Sequence, residues 1–571
     1  MDGGSDEDQV LAAADRTLSD TDYISGSDSD YEVSEHESGT DESGDEEDTN
    51  CESEGSNYFY GKNRMKWSKH SVIRGRTPQH NIIPRCHLPG IKGEASQIGT
   101  PSPIAFWELL FTAEMLQEIV LRTNERIISV TEGINKLSYH HETDVTEIKA
   151  LLGLCYLWGA FKSNDEDLLA VYAKDGTGRP IFRAVMPYNR VFFLLRCLRF
   201  DDSKTRVERQ QSDKLAHISW LFAKFIEQCQ RNYSVGQYVT IDEMLVGFRG
   251  RCSFRMYIPS KPRKYGIKIF ILTDAKLHYC LNAEVYCGRT VGQQSTSKSS
   301  LLVPSMVVLR LAKPIQGSNR NITGDNWFTS IELVNELNKM NLTYIGTIKK
   351  NKRELPAAFV NSKGREVSSS LHGFSGRITL VSFVPKKGKV VNMISTMHHT
   401  KDIDESTGKP VVIMDYNQTK GGVDALDEKC HNYSTGCRTR RWPMAIFYAL
   451  LDIAGVNSHV LFSGNSQTLE VDRRHFLVQL GKELASEHMH RRLQAPKLRK
   501  DIKESIETIL GIKQETSQPS TSGENASVTK SKRKRCSSCP PKRDRKTFHE
   551  CVKCHVPLCV QCGKIVCSKC I

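Results

Sequence analysis

No uninterrupted run of the ~18 apolar residues that a membrane-spanning helix needs is expected in this 571-residue chain, and its first residues lack the basic-then-apolar pattern of a secretion signal. An intracellular protein with no membrane partner is the expectation. Internal repeats are missing, which removes solenoid architectures. Bases are nearly missing from residues 1–56, where Arg16 stands alone against twenty Asp and Glu. Large apolar residues are scarce there too, so the segment cannot bury enough surface to offset chain entropy and is expected to be disordered. Its Ser27-Asp-Ser-Asp cluster suits acid-directed kinases, or simply solvates the tail. A pairing rhythm is missing from ten of the eighteen cysteines, which argues against a disulfide scaffold. Cys155, Cys197 and Cys229 read as small buried hydrophobes.

What is present is positive charge. The chain carries +13 and residues 1–56 carry −19, which leaves +32 on the remaining 515 residues. Lys and Arg in such surplus neutralise phosphates and release counterions, so nucleic acid is the leading partner. A chain this long exceeds the ~250–300 residues one hydrophobic core serves, so several domains are expected. Residues 57–104, basic and rich in Pro, Gly, His and Arg, read as a linker or arm, with ordered structure starting at Ile104. From Phe106 apolar residues recur at helical spacing, as they do over 148–161 and 190–200. Between Gln237 and Lys349 alternation takes over and implies a mixed sheet, and 442–461 returns to helix with Pro443 in its first turn. Residues 514–529 form a Ser/Thr/Gly/Pro linker ahead of a basic run.

Carboxylates stand where these elements end. Asp242 follows the strand-like Tyr238-Val-Thr-Ile, and Asp325 ends Arg320-Asn-Ile-Thr-Gly, with Ser330 suited to cap the next helix. Asp424 and Asp427 are three apart, on one face if helical. Converging, these acids would make a hard oxygen cage for Mg²⁺, and two such ions suit phosphoryl displacement. Caps and turn residues are the alternative reading of each acid alone. Arg249, Arg251, Arg255, Lys261, Arg263, Lys264 and Lys268 surround Tyr257 and Tyr265, mixing phosphate clamps with rings on which bases can stack; a solvated strand face is the bland alternative.

The wording around the acids resembles the piggyBac transposase family: Val239-Thr-Ile-Asp-Glu through Ile267-Lys, Arg320-Asn-Ile-Thr-Gly-Asp-Asn-Trp, and Tyr416-Asn-Gln-Thr-Lys-Gly-Gly-Val-Asp followed by Arg441-Trp-Pro. The resemblance runs from about residue 104 to the C-terminus. It implies an α/β RNase H-like catalytic core with an insertion, flanked by a split all-α DNA-binding domain. The implied segments are a disordered acidic then basic N-terminal region (1–103), helical DNA-binding segments (104–236 and 434–512), catalytic segments (237–349 and 411–433), an insertion (350–410), a linker with a nuclear-localisation-like run (513–535) and a cysteine-rich module (536–571). It implies catalytic Asp242, Asp325, Asp424 and Asp427 holding two Mg²⁺ or Mn²⁺, and DNA contacts by Arg249, Arg251, Tyr257, Asn326, Lys349, Lys352, Arg353 and Trp442, to which the basic-aromatic block adds Lys264. The implied activity is excision and integration at TTAA sites through hairpin ends, on double-stranded DNA, by a nuclear homodimer. A domesticated DNA-binding derivative and a zinc-dependent ligase or chromatin reader are the competing readings.

Four C-x-x-C pairs close the chain, and their eight thiolates suffice for two tetrahedral Zn²⁺ sites. Gaps of eleven, four and four residues suit an interleaved brace, with Cys536, Cys539, Cys559 and Cys562 on one ion and Cys551, Cys554, Cys567 and Cys570 on the other. Sequential pairing stays open. The family tail is likewise a cross-brace that binds end DNA, with a His where Cys562 stands here.

Overall fold

The computed structural model describes residues 57–512 except 72, 74–81, 165, 260, 262, 289–300 and 466–469, together with the backbone of Ser34–Glu35 and scattered positions between 534 and 562. The expected disorder of the acidic head falls outside the described residues. Residues 1–512 form one compact unit and 513–571 a second.

Order begins earlier than Ile104. Strands β1 (Tyr58–Tyr60) and β2 (Lys66–Ser68) make a hairpin. Trp67 on β2 is fully buried and donates from its indole to the Glu354 carbonyl at 2.8 Å. One large ring with a satisfied N–H anchors a segment whose composition reads as linker, which is why the sequence hides it.

After a short helical turn over Pro103–Glu108, the helical part continues with α1 (Ala113–Thr131) and α2 (Val145–Ala160), begun by side-chain caps from Thr112 and Asp144. Cys155, Cys197 and Cys229 are all buried, as read from the sequence.

The sheet follows: β3 (Tyr238–Gly247), β4 (Arg255–Tyr257), β5 (Tyr265–Asp274), β6 (Cys280–Val285), helix α3 (Val303–Ala312), β7 (Asn321–Gly324), helix α4 (Ile331–Lys339) and β8 (Thr343–Thr347). On one side of β3 the strands β5 and β6 run antiparallel in turn, with β4 at the end of β5. On its other side β7 and then β8 run parallel, so the centre is mixed as expected of an RNase H-like core. The insertion supplies β9 (Ser370–Ser375), β10 (Ile378–Lys386) and β11 (Lys389–Ser395), and β11 pairs with β8. The insertion thus extends the sheet instead of standing apart from it, and β2 pairs with β9 beyond.

Helices α5 (Val411–Thr419) and α6 (Gly422–Asn432) return to the sheet and lead into α7 (Trp442–Gly464) and α8 (Arg473–Leu493). By length and composition α7 is apolar enough to cross a membrane, with a mean hydropathy of 1.5, which corrects the expectation that no such segment exists. Ninety-four per cent of its apolar window is buried within the protein. A helix apolar all round is a core helix, and α7 packs on α6, β3 and α8. One cluster of buried side chains runs from the helices into the sheet, and a smaller one lies around Ile345, Val381, Phe383 and Met393.

Candidate active site and metal centre

Register assembles the acids. Parallel β3 and β7 pair Thr323 with Thr240 and Gly324 with Ile241, so the next residue on each chain is an aspartate, Asp242 and Asp325. Asp242 lies mid-strand, and its Oδ1 accepts from the Glu243 N–H at 2.8 Å. Asp325 lies just past its strand end and accepts from the Trp327 N–H at 3.0 Å. Ser330 caps α4 by accepting from the Leu333 N–H at 3.1 Å, as its position in the sequence implied. Asp424 arrives on the first turn of α6. A Cβ on Gly422 would lie 2.5 Å from Thr240 Oγ1, so only glycine lets this helix start lie against β3. Asp427 follows one turn on, on the same helix face.

The electrostatics are those of crowded acids. Burial, then Glu243, Asp325 and Asp424, push the Asp242 carboxyl up to about 8, against the Glu243 N–H. Burial and Glu243 raise Asp325, opposed by the Trp327 and Phe328 N–H groups and by Lys268. Burial raises Asp427, with Lys261 and His431 pulling the other way. Lys261 Nζ sits 4.0 Å from Asp424. Carboxylate oxygens are the hard donors that a divalent cation of the Mg²⁺ or Mn²⁺ type takes, and such a cation would relieve the repulsion that acts on Asp242 and Asp325. Among the described residues, however, Asp242, Asp325, Asp424 and Asp427 do not close into a ligand group of three or more.

Two participants escaped the sequence reading. Glu243 is the largest charge acting on both Asp242 and Asp325. Lys268, grouped by sequence with the phosphate clamps, is 1% exposed, 3.8 Å from Glu243 and stacked over the rings of Phe270 and Trp327. A lysine buried on a central strand cannot reach a DNA backbone; it offsets the acids instead. Glu243 followed Asp242 so closely that it read as part of the motif.

The DNA-contact candidates are differently placed. Arg249, Arg251, Lys264, Asn326 and Arg353 are exposed, while Tyr257, Lys349 and Lys352 are partly buried. Tyr257 and Tyr265 rings stand 4.8 Å apart, with Arg255 over Tyr265. The Arg353 carbonyl accepts from the Asn63 N–H, so the N-terminal hairpin holds that basic strip. Trp442 is 8% exposed and packs on His217 and Phe254, which makes it first a core residue.

In the second unit, Cys536, Cys539, Cys559 and Cys562 bring their sulfurs within 4.8 Å of one another. Among the described residues no other group of three or more ligating side chains closes so far. Cys539 Sγ lies 3.7 Å from Cys559 Sγ and 3.5 Å from Cys562 Sγ. Four thiolates at ~2.3 Å around one tetrahedral Zn²⁺ would stand ~3.8 Å apart, so the donor set fits. The first and third pairs meet, as interleaving requires. Cys551, Cys554, Cys567 and Cys570 lie outside the described residues.

Comparison with known proteins agrees with this arrangement. A family model described as Transposase IS4 matches residues 102–459. Human PiggyBac transposable element-derived protein 3 is 22% identical over 357 residues, 60% of this chain and 58% of its own length. The human Chimeric ERCC6-PGBD3 protein gives the same identity over 32% of its length, so the chain spans under two thirds of either. A cryo-EM structure of the piggyBac transposase synaptic complex with hairpin DNA matches with TM-score 0.71 and 37% identity, over 85% of this chain and 100% of that one. A family match over more than half the chain, together with 37% identity across the whole of the piggyBac transposase structure, means that the chain belongs to the piggyBac-type transposase family.

Proposed function

We propose that this chain is a DNA transposase that excises and integrates a DNA element at TTAA sites, cutting and joining strands through hairpin ends. The observation that carries the reading is the register that sets Asp242 beside Asp325, with Asp424 brought to β3 on α6. Asp242, Asp325 and Asp424 would hold the divalent ions, with Asp427 beside them. Bound there, the ions would activate the attacking oxygen and neutralise charge on the leaving one. Exposed Arg249, Arg251 and Lys264 would grip phosphates next to the acids, and Tyr257 would stack on an unpaired base. Lys349, Lys352 and Arg353 would hold a second stretch of backbone. The cysteine module would bind two Zn²⁺ and the element's ends. A nuclear homodimer is the proposed working form.

A domesticated derivative that binds DNA without transposing it is the second reading, favoured by the element-derived names of the human relatives. Four intact acids speak for the enzyme. Asp242→Asn, Asp325→Asn or Asp424→Asn should each lower Mg²⁺-dependent nicking of a duplex carrying the element's inverted repeat by on the order of 10³-fold or more, while end binding persists. Nicking that survives any one of these changes in purified protein removes that acid from the metal site.

A further inference from the structure

Three buried threonines link the elements that carry the acids. Thr240 and Thr323 are register partners on β3 and β7, each two residues ahead of its aspartate. Two residues is the side-chain period of a strand, so Thr240 shares a sheet face with Asp242. Both threonines meet Thr419, the last residue of α5. Thr240 Oγ1 donates to the Thr419 carbonyl at 2.6 Å, and the Thr323 and Thr419 hydroxyls are 2.7 Å apart. Thr419 Oγ1 donates to the Asp415 carbonyl at 2.7 Å, which commits its proton and makes Thr323 the donor of the shared bond. Asn321 Nδ2 in turn donates to Thr323 Oγ1 at 3.4 Å. Thr240, Thr323 and Thr419 are 1%, 0% and 7% exposed. Two residues after Thr419 the chain turns at Gly421 into α6, and Asp424 stands in its first turn.

Asp424 has a side chain 69% exposed, so packing does not fix its place. The start of α6 does, and that start hangs from Thr419. We infer that Thr240, Thr323 and Thr419 are positioning residues that set the spacing between the strand-borne pair Asp242 and Asp325 and the helix-borne Asp424, and thereby the affinity for divalent cations. The inference rests on the reading that these three aspartates hold metal. Valine in place of threonine keeps the branched shape and removes only the hydroxyl, whereas serine keeps the hydroxyl.

The test is calorimetric binding of Mn²⁺ to the full-length protein, paired with Mg²⁺ titration of nicking. Thr419→Val and Thr240→Val should each weaken Mn²⁺ about tenfold, the scale typical for residues that orient metal ligands. They should raise the Mg²⁺ concentration for half-maximal nicking in step, while nicking at saturating Mg²⁺ falls less. Thr419→Ser should restore both. Wild-type protein that binds no Mn²⁺ would overturn the metal-site reading itself. Wild-type binding that is lost in Asp424→Asn but unchanged in the two valine variants would overturn the positioning role alone. A serine variant as weak as the valine one would overturn it too, because the hydroxyl would then not be the cause. Should Thr419→Val fail to fold, Thr240→Val and Thr323→Val decide by the same measurement.

Discussion

Asp452 lies within α7, buried, and accepts hydrogen bonds from the Thr435 N–H at 2.6 Å and from the Thr435 and Ser434 hydroxyls at 2.8 Å each. Burial pushes its carboxyl up to about 7, outweighing these three donors, which favour the charged form. An exposed aspartate titrates near ~3.9, so between that pH and about 7 the folded chain holds a proton that the unfolded chain has released. Stability therefore falls as pH rises through this window and levels off above the folded value. Asp452→Asn removes the titration and keeps most of the shape. In urea unfolding of both proteins, the stability of wild type relative to the variant should drop by about 3 kcal/mol between pH 5 and pH 8. A difference that does not change with pH would mean that Asp452 is charged in the fold. Nothing around Asp452 in sequence announces this, since Thr435 and Ser434 reach it from a separate loop. Asp242, Asp325 and Asp424 were legible because each sits in a long family-like block. Lys268 was misread because its block is basic, and only the sheet shows that this lysine points inward toward Glu243.

Where α2 and α8 pack together, their backbones come close enough that each needs glycine. A Cβ on Gly153 would lie 2.6 Å from the Gly481 carbonyl oxygen, and one on Gly481 would lie 2.8 Å from that of Gly153. Both contacts are with backbone, which cannot swing aside as a side chain does. Gly153→Ala or Gly481→Ala gains ~1 kcal/mol of helix propensity yet forces the helices apart, and overpacking of this kind costs ~1–3 kcal/mol. A net loss of stability, read as a lower urea midpoint by circular dichroism, is expected for either variant; an unchanged or higher midpoint would show that the crossing can open freely. Helical spacing made the helices over 148–161, 190–200 and 442–461 readable in sequence, and Ser330 marked the start of α4. Elements held by a few distant contacts were not. The Tyr58–Ser68 hairpin depends on Trp67 docking 287 residues away, and α7, apolar all round, has no face whose periodicity tells what it packs against.

At the scale of the whole molecule, the division at residue 512 separates the acids from the cysteines. Every core residue that supports Asp242, Asp325 and Asp424 lies upstream, from Trp67 to Ile506. The tail is too small to fold on apolar burial, so metal bound by its thiolates, as proposed, would supply much of its folding free energy. Deleting residues 530–571 should then leave the urea unfolding of the upstream unit and its Mn²⁺ binding unchanged, while specific end binding and excision fall strongly. Metal analysis should find about two Zn²⁺ in the intact chain, because eight thiolates complete two four-ligand sites. Cys559→Ser should reduce that to about one, since Cys559 belongs to the group formed with Cys536, Cys539 and Cys562. The same change should weaken end binding, because the released thiolates no longer hold the brace together. Loss of both ions on this single change would mean that the two sites fold as one cooperative unit. Excision by the truncated protein at the wild-type rate would show that the tail recognises something other than the element's ends, and the basic surface around Arg249 and Arg251 would then have to carry all of the DNA recognition.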